Sequence, residues 1–593
     1  MRIFGRALLW ALALCGVVFV SLSVVLVIGV SRLGPSFSRS TDLPSEMILS
    51  LSLDYPTPEL PEVHLDHLFE PQVSLVDIVT VLDRAAADPR VKAVTARIGD
   101  AGRGMAEAQE LRDAIARFRD SGKPAFVFAE TLGQSNGGGA EYLLASGFSE
   151  IWLQPSGTLG LTGFGVEVPF LKSALEKIGI EHEFASRWEY KTAMDSLVRD
   201  DMSEPHRVSL RALLDSWQSQ LLDAVVSGRG LERASVEVLA ARPPLFASEA
   251  KDAGLVDTIG YLDEFMDAVH SAAGTDKEVS LDDYLAGTAV HPSPHASRIA
   301  LIHGVGVIHA GASEDGTMSG THSIGSDTVA GAIRSAVDDP DIKAIVLRIN
   351  SPGGDAVASD TIWREVARAK EKGMPLIVSM GEYAASGGYF LSMPAHAIVA
   401  NPGTITGSIG VFSGKTVVSG LWDKLGVSWA RVETGSGALM LSPNRKFTPE
   451  ERAWFDRSLD AIYTDFTGKL AQGRGLAPDQ VDHVARGRVW SGHDAKAVGL
   501  VDVLGGFGTA VRLAREAAGI AEDAEIDLVP FPAPKTEWEQ ILAVFGGSAH
   551  GMRQLSYLTA LEPFVKPFVS GIERQRAIGR SPAVLMAPSS EGL

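Results

Sequence analysis

Runs of apolar residues in this chain follow two spacings, one typical of strands and one typical of helices. Residues 344–350 are mostly apolar and predict a buried strand, whereas residues 361–370 place apolar side chains at the spacing of an amphipathic helix. From about residue 72 onwards, strand-like and helix-like segments of this kind alternate. Such alternation predicts an α/β fold in which mainly parallel sheets are covered by helices.

The alternation occurs twice, because the chain contains an internal duplication. Asp88-Pro-Arg-Val-Lys-Ala-Val94 matches Asp339-Pro-Asp-Ile-Lys-Ala-Ile345 at an offset of 251 residues, which is 339 minus 88. Gly254-Leu-Val-Asp257 matches Gly499-Leu-Val-Asp502 at an offset of 245, and a match that lies between these two has an offset of 247. Three matches in the same order indicate two copies of one unit of about 245–250 residues.

An uncharged apolar segment lies near the N-terminus. Residues 7–30 contain no charged side chain and follow Arg2 and Arg6. At about 1.5 Å per residue, these 24 residues are long enough to cross a hydrocarbon core of roughly 30 Å. A cleaved signal peptide is the alternative, but its apolar region is typically only about 7–15 residues long. We therefore expect an uncleaved transmembrane anchor, with the N-terminal end in the cytoplasm and the body exported.

These features together predict the domain organisation. A Pro-containing linker separates the two copies, and a Ser- and Pro-rich stretch follows the anchor. We expect a transmembrane anchor at 1–32, a tether at 33–62, a first α/β repeat at 63–290, a second α/β repeat at 298–530, and a C-terminal tail at 531–593. The sequence assigns no role to that tail.

Composition limits the classes of partner and chemistry. Hydrophobic residues make up 45% and charged residues 21% of the 593 residues, as is typical of folded protein. The formal net charge of −20 argues against a nucleic-acid partner. The one cysteine, Cys15, lies in the apolar N-terminal segment, so an intrachain disulfide and a cysteine-based zinc site are excluded. The sequence contains no recognisable cofactor or metal motif.

A candidate nucleophile lies in Gly381-Glu-Tyr-Ala-Ala-Ser-Gly-Gly-Tyr389. Small residues surround a single serine, Ser386, directly after a strand-like run. This pattern suits a serine exposed where a strand turns into a helix, because alanine and glycine let a substrate backbone approach closely. The same pattern also fits an ordinary glycine-rich turn between a strand and a helix.

Comparison of the two copies favours the catalytic interpretation. At the offset of 247, Ser386 corresponds to Gly139, so the first copy lacks the candidate nucleophile. At the offset of 251, Gly354 corresponds to Arg103, so the first copy also lacks the second glycine of Asn350-Ser-Pro-Gly-Gly354. A glycine pair after a strand can leave a backbone N–H free to bind an oxyanion. The second copy alone therefore has both parts of an acyl-transfer site.

A serine nucleophile needs a general base, and the residues alone leave its identity open. His303, His309 and His322 lie near the start of the second copy, but no motif pairs any of them with a carboxylate. A lysine can perform the same task if burial lowers its pKa from about 10.4 towards 7–8. No lysine stands out by composition or spacing.

The second copy resembles a known family of peptidases. The Asn350-Ser-Pro-Gly-Gly354 loop, the Ala385-Ser-Gly-Gly388 turn and Asn401-Pro-Gly-Thr-Ile-Thr-Gly-Ser-Ile-Gly410 resemble the signal peptide peptidase A (SppA) family, which is peptidase family S49. The apolar N-terminal segment and the tandem duplication resemble the long form of that family, and the resemblance covers roughly residues 1–530. It implies a Clp protease/crotonase-like fold for each repeat.

The resemblance also implies the roles of individual residues. It identifies Ser386 as the nucleophile and Lys191, within Glu189-Tyr-Lys-Thr-Ala193, as the general base. It further implies that Ser408 orients the lysine and that the backbone N–H groups of Gly354 and Gly387 form the oxyanion hole. The region of the second copy that matches the lysine segment, residues 432–439, contains no lysine. A serine–lysine dyad divided between the two copies is thus expected.

This resemblance implies a membrane-anchored serine endopeptidase that degrades cleaved signal peptides and similar apolar peptides. Its location would be the bacterial plasma membrane, crossed once, with the catalytic body on the exported side, and its assembly a homotetramer. Two alternatives belong to other functional classes. A crotonase-like acyl-CoA enzyme would call for a carboxylate in place of Ser386, and a non-catalytic membrane scaffold would predict loss of the site in both copies.

Overall fold

The structure is a computed structural model that describes residues 42–61, 73–133, 137–288, 295–314, 322–533 and 584–586. The predicted anchor (1–32), the linker between the repeats and most of the predicted tail lie outside the described residues. Within the described ranges, no helix combines the length and the apolar character needed to cross a bilayer.

One parallel sheet is formed by residues from the first half of the chain. Its described strands are β1 (Met47–Leu53), β2 (Val91–Ile98), β3 (Ala125–Ala129), β4 (Glu150–Leu153), β8 (Thr258–Ile259) and β9 (Glu278–Ser280). They lie in the order β8-β4-β3-β2-β1-β9, and every pairing is parallel. We call this the first sheet. Two further strands, β5 (Thr158–Leu159) and β7 (Leu245–Phe246), pair with each other beside it.

Helices follow the strands of the first sheet, as the alternation predicts. They are α1 (Leu75–Ala87), α2 (Met105–Asp120), α3 (Gly139–Ala145), α4 (Lys172–Lys177), α5 (Asp195–Val198), α6 (Glu204–Arg229), α7 (Arg233–Ala240), α8 (Ala247–Asp252), α9 (Leu262–Ala273) and α10 (Leu281–Gly287). The helix α1 begins at a capping box, in which Ser74 and Asp77 each accept a hydrogen bond from the other's backbone N–H.

A second, larger sheet is formed by residues from the second half of the chain. Its described strands are β10 (Ser297–Val305), β13 (Ile342–Ser351), β15 (Leu376–Ala385), β16 (Ala397–Ala400), β17 (Ile405–Gly407), β19 (Val489–Ser491), β20 (Val503–Leu504) and β21 (Ile526–Pro530). The main path is β19-β17-β15-β13-β10-β21; off this path, β16 pairs with β15 and β20 pairs with β16. All pairings are parallel except that of β17 with β19. We call this the second sheet.

The helices of the second half complete the layered architecture. They are α11 (Ser326–Asp338), α12 (Ala356–Glu371), α13 (Gly387–Ser392), α14 (Ser419–Leu425), α15 (Pro449–Arg474), α16 (Pro478–Val484), α17 (Gly492–Ala497) and α18 (Phe507–Ala517). The strand predicted at 344–350 and the helix predicted at 361–370 are confirmed as parts of β13 and α12. The mainly parallel α/β class is confirmed as well.

A third sheet combines segments from both halves. Its described strands are β6 (Glu181–Arg187), β11 (Val307–His309), β12 (Ser323–Gly325), β14 (Gly353–Asp355), β18 (Val411–Val417) and β22 (Val584–Met586), in the order β12-β11-β14-β22-β18-β6. The strand β6 pairs antiparallel with β18 over seven residue pairs. Because β6 comes from the first repeat, we call this the bridging sheet.

The duplication is visible in matching hydrogen bonds. In the first repeat the hydroxyl of Tyr142 donates to Leu255 O at 2.7 Å, and in the second that of Tyr389 donates to Leu500 O at 2.9 Å. The salt bridge of Arg229 with Asp257 likewise recurs between Arg474 and Asp502, each at 2.6 Å. Contacts repeated at offsets of 245 and 247 show that these parts of the two copies fold in the same way.

One expectation differs from the structure at the N-terminal side. Residues 33–62 were expected to form a tether, but Met47–Leu53 within that segment form β1, which is buried in the first sheet. The alternation in Met-Ile-Leu-Ser-Leu-Ser-Leu is a strand pattern, and the serines that suggested a tether occupy positions within the strand. The first repeat therefore begins before residue 63.

The two repeats share a hydrophobic core. One continuous cluster of buried side chains contains Leu82 and Leu111 from the first repeat together with Val346, Ile377 and Phe507 from the second. The helix α18 packs against β13 and β15. Because the core is continuous, the positions of the two repeats relative to each other are set by packing as well as by the bridging sheet.

Candidate active site

The serine predicted as nucleophile lies at a sharp turn between β15 and α13. Ser386 is fully buried, whereas the sequence pattern predicts an exposed serine. It precedes the helix and has φ 55° and ψ −110°. Its backbone N–H donates to Gly407 O at 2.8 Å, and its carbonyl accepts from Phe390 N at 2.8 Å. A positive φ is unfavourable for a residue with a β-carbon, so the surrounding structure must hold this conformation. Strained strand-to-helix turns of this kind present serine nucleophiles in other hydrolases.

The glycines beside Ser386 are required by close packing. A β-carbon on Gly387 would lie 2.7 Å from Ser359 Oγ and 3.1 Å from the backbone nitrogen of Gly354. A β-carbon on Gly354 would lie 2.1 Å from Ile308 O. The backbone segments of Gly354 and Gly387, the two predicted oxyanion donors, are therefore neighbours in the structure.

The predicted lysine reaches Ser386 from the first repeat. Lys191 follows β6, which pairs with β18 of the second repeat. Its Nζ lies 2.7 Å from Ser386 Oγ, although 195 residues separate the two in sequence. The structure thus brings together the two residues that the resemblance paired.

The third predicted side chain, Ser408, also contacts the lysine. Lys191 Nζ donates to Ser408 O at 2.8 Å and to Ser408 Oγ at 3.0 Å. Ser408 is fully buried and has φ 50°, so it too is held in a left-handed conformation. These contacts fix the direction in which the amine points.

Burial changes the acid–base properties of the amine. Lys191 is only 2% exposed, and burial lowers its pKa well below the usual lysine value. Among the described residues its hydrogen-bond partners are two hydroxyls and a carbonyl, none of which is a carboxylate that would hold the proton. A neutral amine at this position can accept a proton from Ser386 Oγ.

A segment that sequence reasoning missed holds the lysine turn. The carbonyl of Arg486 accepts hydrogen bonds from the backbone of Trp188 at 3.3 Å and of Tyr190 at 3.2 Å. A β-carbon on Gly487, which has φ 89°, would lie 2.4 Å from the backbone nitrogen of Lys191. At the offset of 245, the first copy has Arg242 in place of Gly487. Comparing the copies there would have shown this difference.

The matching site of the first repeat is closed by its own side chains. The backbone N–H of Arg103, which corresponds to Gly354, donates to Glu141 Oε1 at 3.0 Å. The side chain of Arg103 donates to Leu53 O at 2.9 Å and to Tyr55 O at 2.8 Å. A carboxylate thus binds the N–H that matches a predicted oxyanion donor of the second repeat.

The histidines considered from the sequence have other surroundings. His309 Nε2 lies 2.8 Å from Ser323 Oγ, and its Nδ1 lies 2.8 Å from Ala310 O. Burial lowers the pKa of His303 to about 4. Across the described part of the chain, no group of three His, Cys, Asp or Glu side chains is placed to hold a metal ion.

The C-terminal strand β22 lies beside the predicted oxyanion donors. Gly353 pairs with Met586, Gly354 with Leu585 and Asp355 with Val584, all antiparallel. On its other edge β22 pairs with β18 at Phe412. The extended strand β22 therefore lies between β14, which carries Gly354, and β18, which pairs with β6.

Comparisons with known proteins agree with this geometry. A family model described as peptidase family S49 matches residues 117–276 and 368–521. The chain is 34% identical over 494 residues to the chloroplastic serine protease SPPA of Arabidopsis thaliana, covering 82% of this chain and 72% of that one. It is 35% identical over 465 residues to Protease 4 of Salmonella typhi, covering 76% and 73%, and 31% identical over 536 residues to Protease 4 of Haemophilus influenzae, covering 85% and 84%. The chain therefore belongs to peptidase family S49, as a serine peptidase of the tandem SppA form.

Proposed function

We propose that this serine peptidase works through a dyad of Ser386 and Lys191, one residue from each repeat. The observation that carries the proposal is the 2.7 Å contact of Lys191 Nζ with Ser386 Oγ in buried surroundings. The lowered pKa of the amine supports a role as general base, because a neutral amine accepts a proton near neutral pH. Ser408 orients that amine.

The acylation step follows from this arrangement. Lys191 Nζ takes the proton of Ser386 Oγ as the oxygen attacks the carbonyl carbon of the scissile peptide bond. The backbone N–H groups of Gly354 and Gly387 stabilise the negative charge on the carbonyl oxygen. Lys191 then gives its proton to the leaving nitrogen, the C–N bond breaks, and the peptide acyl group remains bound to Ser386 as an ester.

In deacylation, water takes the place of Ser386 as the nucleophile, and Ser386 becomes the leaving group. A water molecule attacks the ester carbon, and Lys191 accepts its proton. The tetrahedral oxyanion forms again at the same N–H groups. When the C–O bond to Ser386 breaks, Lys191 returns the proton to Oγ, and the product leaves with a free carboxylate.

We propose that the substrate binds as an extended strand, antiparallel to β14 and β18. The position of β22 supports this, because it shows that the space accepts an extended backbone with its hydrogen bonds directed to Gly353–Asp355. By the family resemblance, the substrates are cleaved signal peptides and similar apolar peptides.

The finer fold and the cellular setting are further parts of the proposal. Each repeat has a Clp protease/crotonase-like fold, with units at 63–290, extended to include β1, and at 298–530. Residues 1–32 anchor the protein once in a bacterial plasma membrane, with the catalytic body on the exported side. The assembly is a homotetramer, which equilibrium sedimentation of the detergent-solubilised full-length protein tests.

The two alternatives are less consistent with the site. A crotonase-like acyl-CoA enzyme would have a carboxylate at the position of Ser386. A non-catalytic scaffold would have lost the site in both repeats, whereas Ser386, Gly354 and Gly387 are all present in the second.

Hydrolysis of a leucine- and alanine-rich peptide tests the dyad. We expect the full-length protein to cleave the peptide and both Ser386→Ala and Lys191→Ala to lose turnover while their folded structure, followed by circular dichroism, persists. Activity in Lys191→Ala but not in Ser386→Ala would mean that the base is a different residue. Activity in both variants would overturn the mechanism.

A further inference from the structure

A carboxylate outside the dyad joins the strand of the nucleophile to the first repeat. Glu382 lies on β15, four residues before Ser386. Its Oε1 accepts a hydrogen bond from Met105 N at 3.1 Å, and its Oε2 accepts from Ala106 N at 3.0 Å and from Glu107 N at 3.2 Å. These are the first three residues of α2, so a side chain of the second repeat caps a helix of the first.

Comparison of the copies shows that α2 lacks a side-chain cap from its own preceding residue. The corresponding helix of the second repeat, α12, is capped by its own Asp355, whose Oδ1 accepts from Ala358 N at 2.6 Å. At the offset of 251, Asp355 corresponds to Gly104, which has no side chain to offer. A β-carbon on Gly104 would lie 2.2 Å from Glu382 Oε2. The glycine therefore makes room for the carboxylate.

The backbone around Glu382 is irregular in a way that affects the nucleophile. Along the pairing of β13 with β15, Ile349 pairs with Met380, but Ser351 pairs with Ala384. Three residues of β15, 381–383, thus lie opposite the single residue Asn350, whose Oδ1 accepts from Tyr383 N at 3.0 Å. Bulges near active sites redirect the strand that follows. Here the redirected residues lead directly to the turn at Ser386.

We propose that Glu382 is a positioning residue of the active site: by binding the N-terminus of α2 it holds the bulge of β15, and thereby sets where Ser386 lies relative to Lys191. This inference rests on the proposed serine–lysine dyad. The first repeat then has two effects on catalysis, supplying the lysine through β6 and bracing the nucleophile strand through α2.

Burial and the neighbouring charged groups make the contact between Glu382 and the N-terminus of α2 depend on pH. Burial raises the pKa of Glu382 to about 7, and the nearby carboxylate of Glu107 acts in the same direction. Glu107 is paired with Arg103, and Glu59, which is paired with Arg348, lies near the preceding Gly381. As pH falls below about 7, protonation removes the negative charge that the helix N-terminus binds. The bulge is therefore held most firmly above that pH.

The test compares Glu382→Gln and Glu382→Ala with a matched control in the full-length protein. Asp77→Asn is the control, because Asp77 also accepts hydrogen bonds at a helix N-terminus, from Ser74 N at 3.0 Å and Ser74 Oγ at 2.6 Å, but belongs to α1. The measurements are kcat and KM for the leucine- and alanine-rich peptide, normalised to folded protein, and the pH profile of kcat/KM.

We expect kcat to fall roughly 10- to 100-fold in both Glu382 variants, as for a small misplacement of reacting groups, with KM changed less than about twofold. In the wild-type protein we expect kcat/KM to rise with pH through about 7, as Glu382 loses its proton. Glu382→Gln should lose that inflection, while Asp77→Asn keeps the wild-type kcat and profile. Wild-type kcat and profile in the Glu382 variants, or an equal fall of kcat in Asp77→Asn, would overturn the inference. If Ser386→Ala and Lys191→Ala are also active, the proposed dyad itself is wrong. If they are inactive while the Glu382 variants behave like the wild type, only the role proposed for Glu382 is wrong.

Discussion

At the scale of single residues, the site depends on conformations and burial that are unfavourable by themselves. Ser386 and Ser408 both have positive φ, and the buried Lys191 has two hydroxyls and a carbonyl as its partners in the described part of the chain. Each of these features costs stability and is retained because the surrounding packing enforces it. Stability and activity should therefore respond in opposite directions when the lysine is replaced.

Lys191→Met tests this opposition. The folded protein binds fewer protons at Lys191 than the unfolded chain does between the lowered pKa and the usual lysine value, so stability rises with pH across that window. At pH values below this window the amine is charged in the folded protein, and burial of that charge lowers the free energy of unfolding. We expect the uncharged methionine to raise the free energy of unfolding by about 1 kcal/mol at pH 7 while peptide hydrolysis is lost. Urea denaturation at pH 7 and pH 10 measures the effect, and a less stable variant at pH 7 would contradict it.

Gly487→Ala tests the segment that holds the lysine turn. A β-carbon at this position would displace the backbone of Lys191, so we expect roughly 100-fold lower activity. Gly373→Ala is a suitable control, because Gly373 also has a positive φ, 73°, but a β-carbon there would have no atom of the described residues within 4 Å. Both variants bear the conformational penalty of about 1–2 kcal/mol. Equal activities in the two variants would show that the contact with Lys191 is unimportant.

At the scale of elements, two strands determine how the site is assembled. The strand β6 leaves the first repeat and pairs with β18, and β22 fills the space between β14 and β18. The strand β6 leads to Lys191, the proposed base, and places it against Ser386. The second strand occupies the space proposed for the substrate, so peptide binding requires β22 to leave.

Removal of β22 should therefore favour substrate binding. We expect a protein that ends at residue 583 to have a lower KM for the peptide. Only molecules in which the space is empty can bind the peptide, so the apparent affinity is proportional to their fraction. If nine molecules in ten have β22 in place, the change is about tenfold. A protein that ends at residue 586 keeps the strand and should retain the original KM. Identical KM values in the two truncations would contradict the prediction.

At the scale of the whole molecule, charged residues buried between the repeats join them. Arg348 of β13 is fully buried and donates to Glu59 Oε1 at 2.7 Å and to Glu110 Oε2 at 3.0 Å, both in the first repeat. Glu110 also accepts from Asn401 Nδ2 at 3.0 Å and from Phe507 N at 2.7 Å. Removing one member of such a network leaves the others buried and unpaired.

Arg348→Met tests this connection. We expect a loss of about 3–5 kcal/mol in the free energy of unfolding, because Glu59 and Glu110 would keep buried charges without their partner. Arg97 is the corresponding residue of the first repeat and provides the control: it is half-exposed and pairs with Asp54 at 3.2 Å and Glu130 at 3.3 Å. Its replacement by methionine should change stability by only about 0–1 kcal/mol. Similar losses in both variants, measured by urea denaturation, would contradict this account.

The sequence by itself determined the α/β class and the duplication, and it predicted the part of the candidate site that lies within one repeat. These depend on local patterns: strand and helix periodicity, and the residues Ser386 and Gly354, which the first copy lacks. The same local reasoning failed at 47–53, where serines within a strand resembled a tether. Lys191 was identified through the family resemblance, since its own surroundings in sequence are unremarkable.

Only the tertiary structure decided how the two halves of the site meet. The 2.7 Å contact of Lys191 with Ser386 depends on the pairing of β6 with β18, and the backbone of Lys191 is held at Gly487. The capping of α2 by Glu382 likewise joins residues 277 positions apart. Local patterns carry no information on such contacts, because the register between distant strands and the packing of one repeat on the other are set by the whole folded chain.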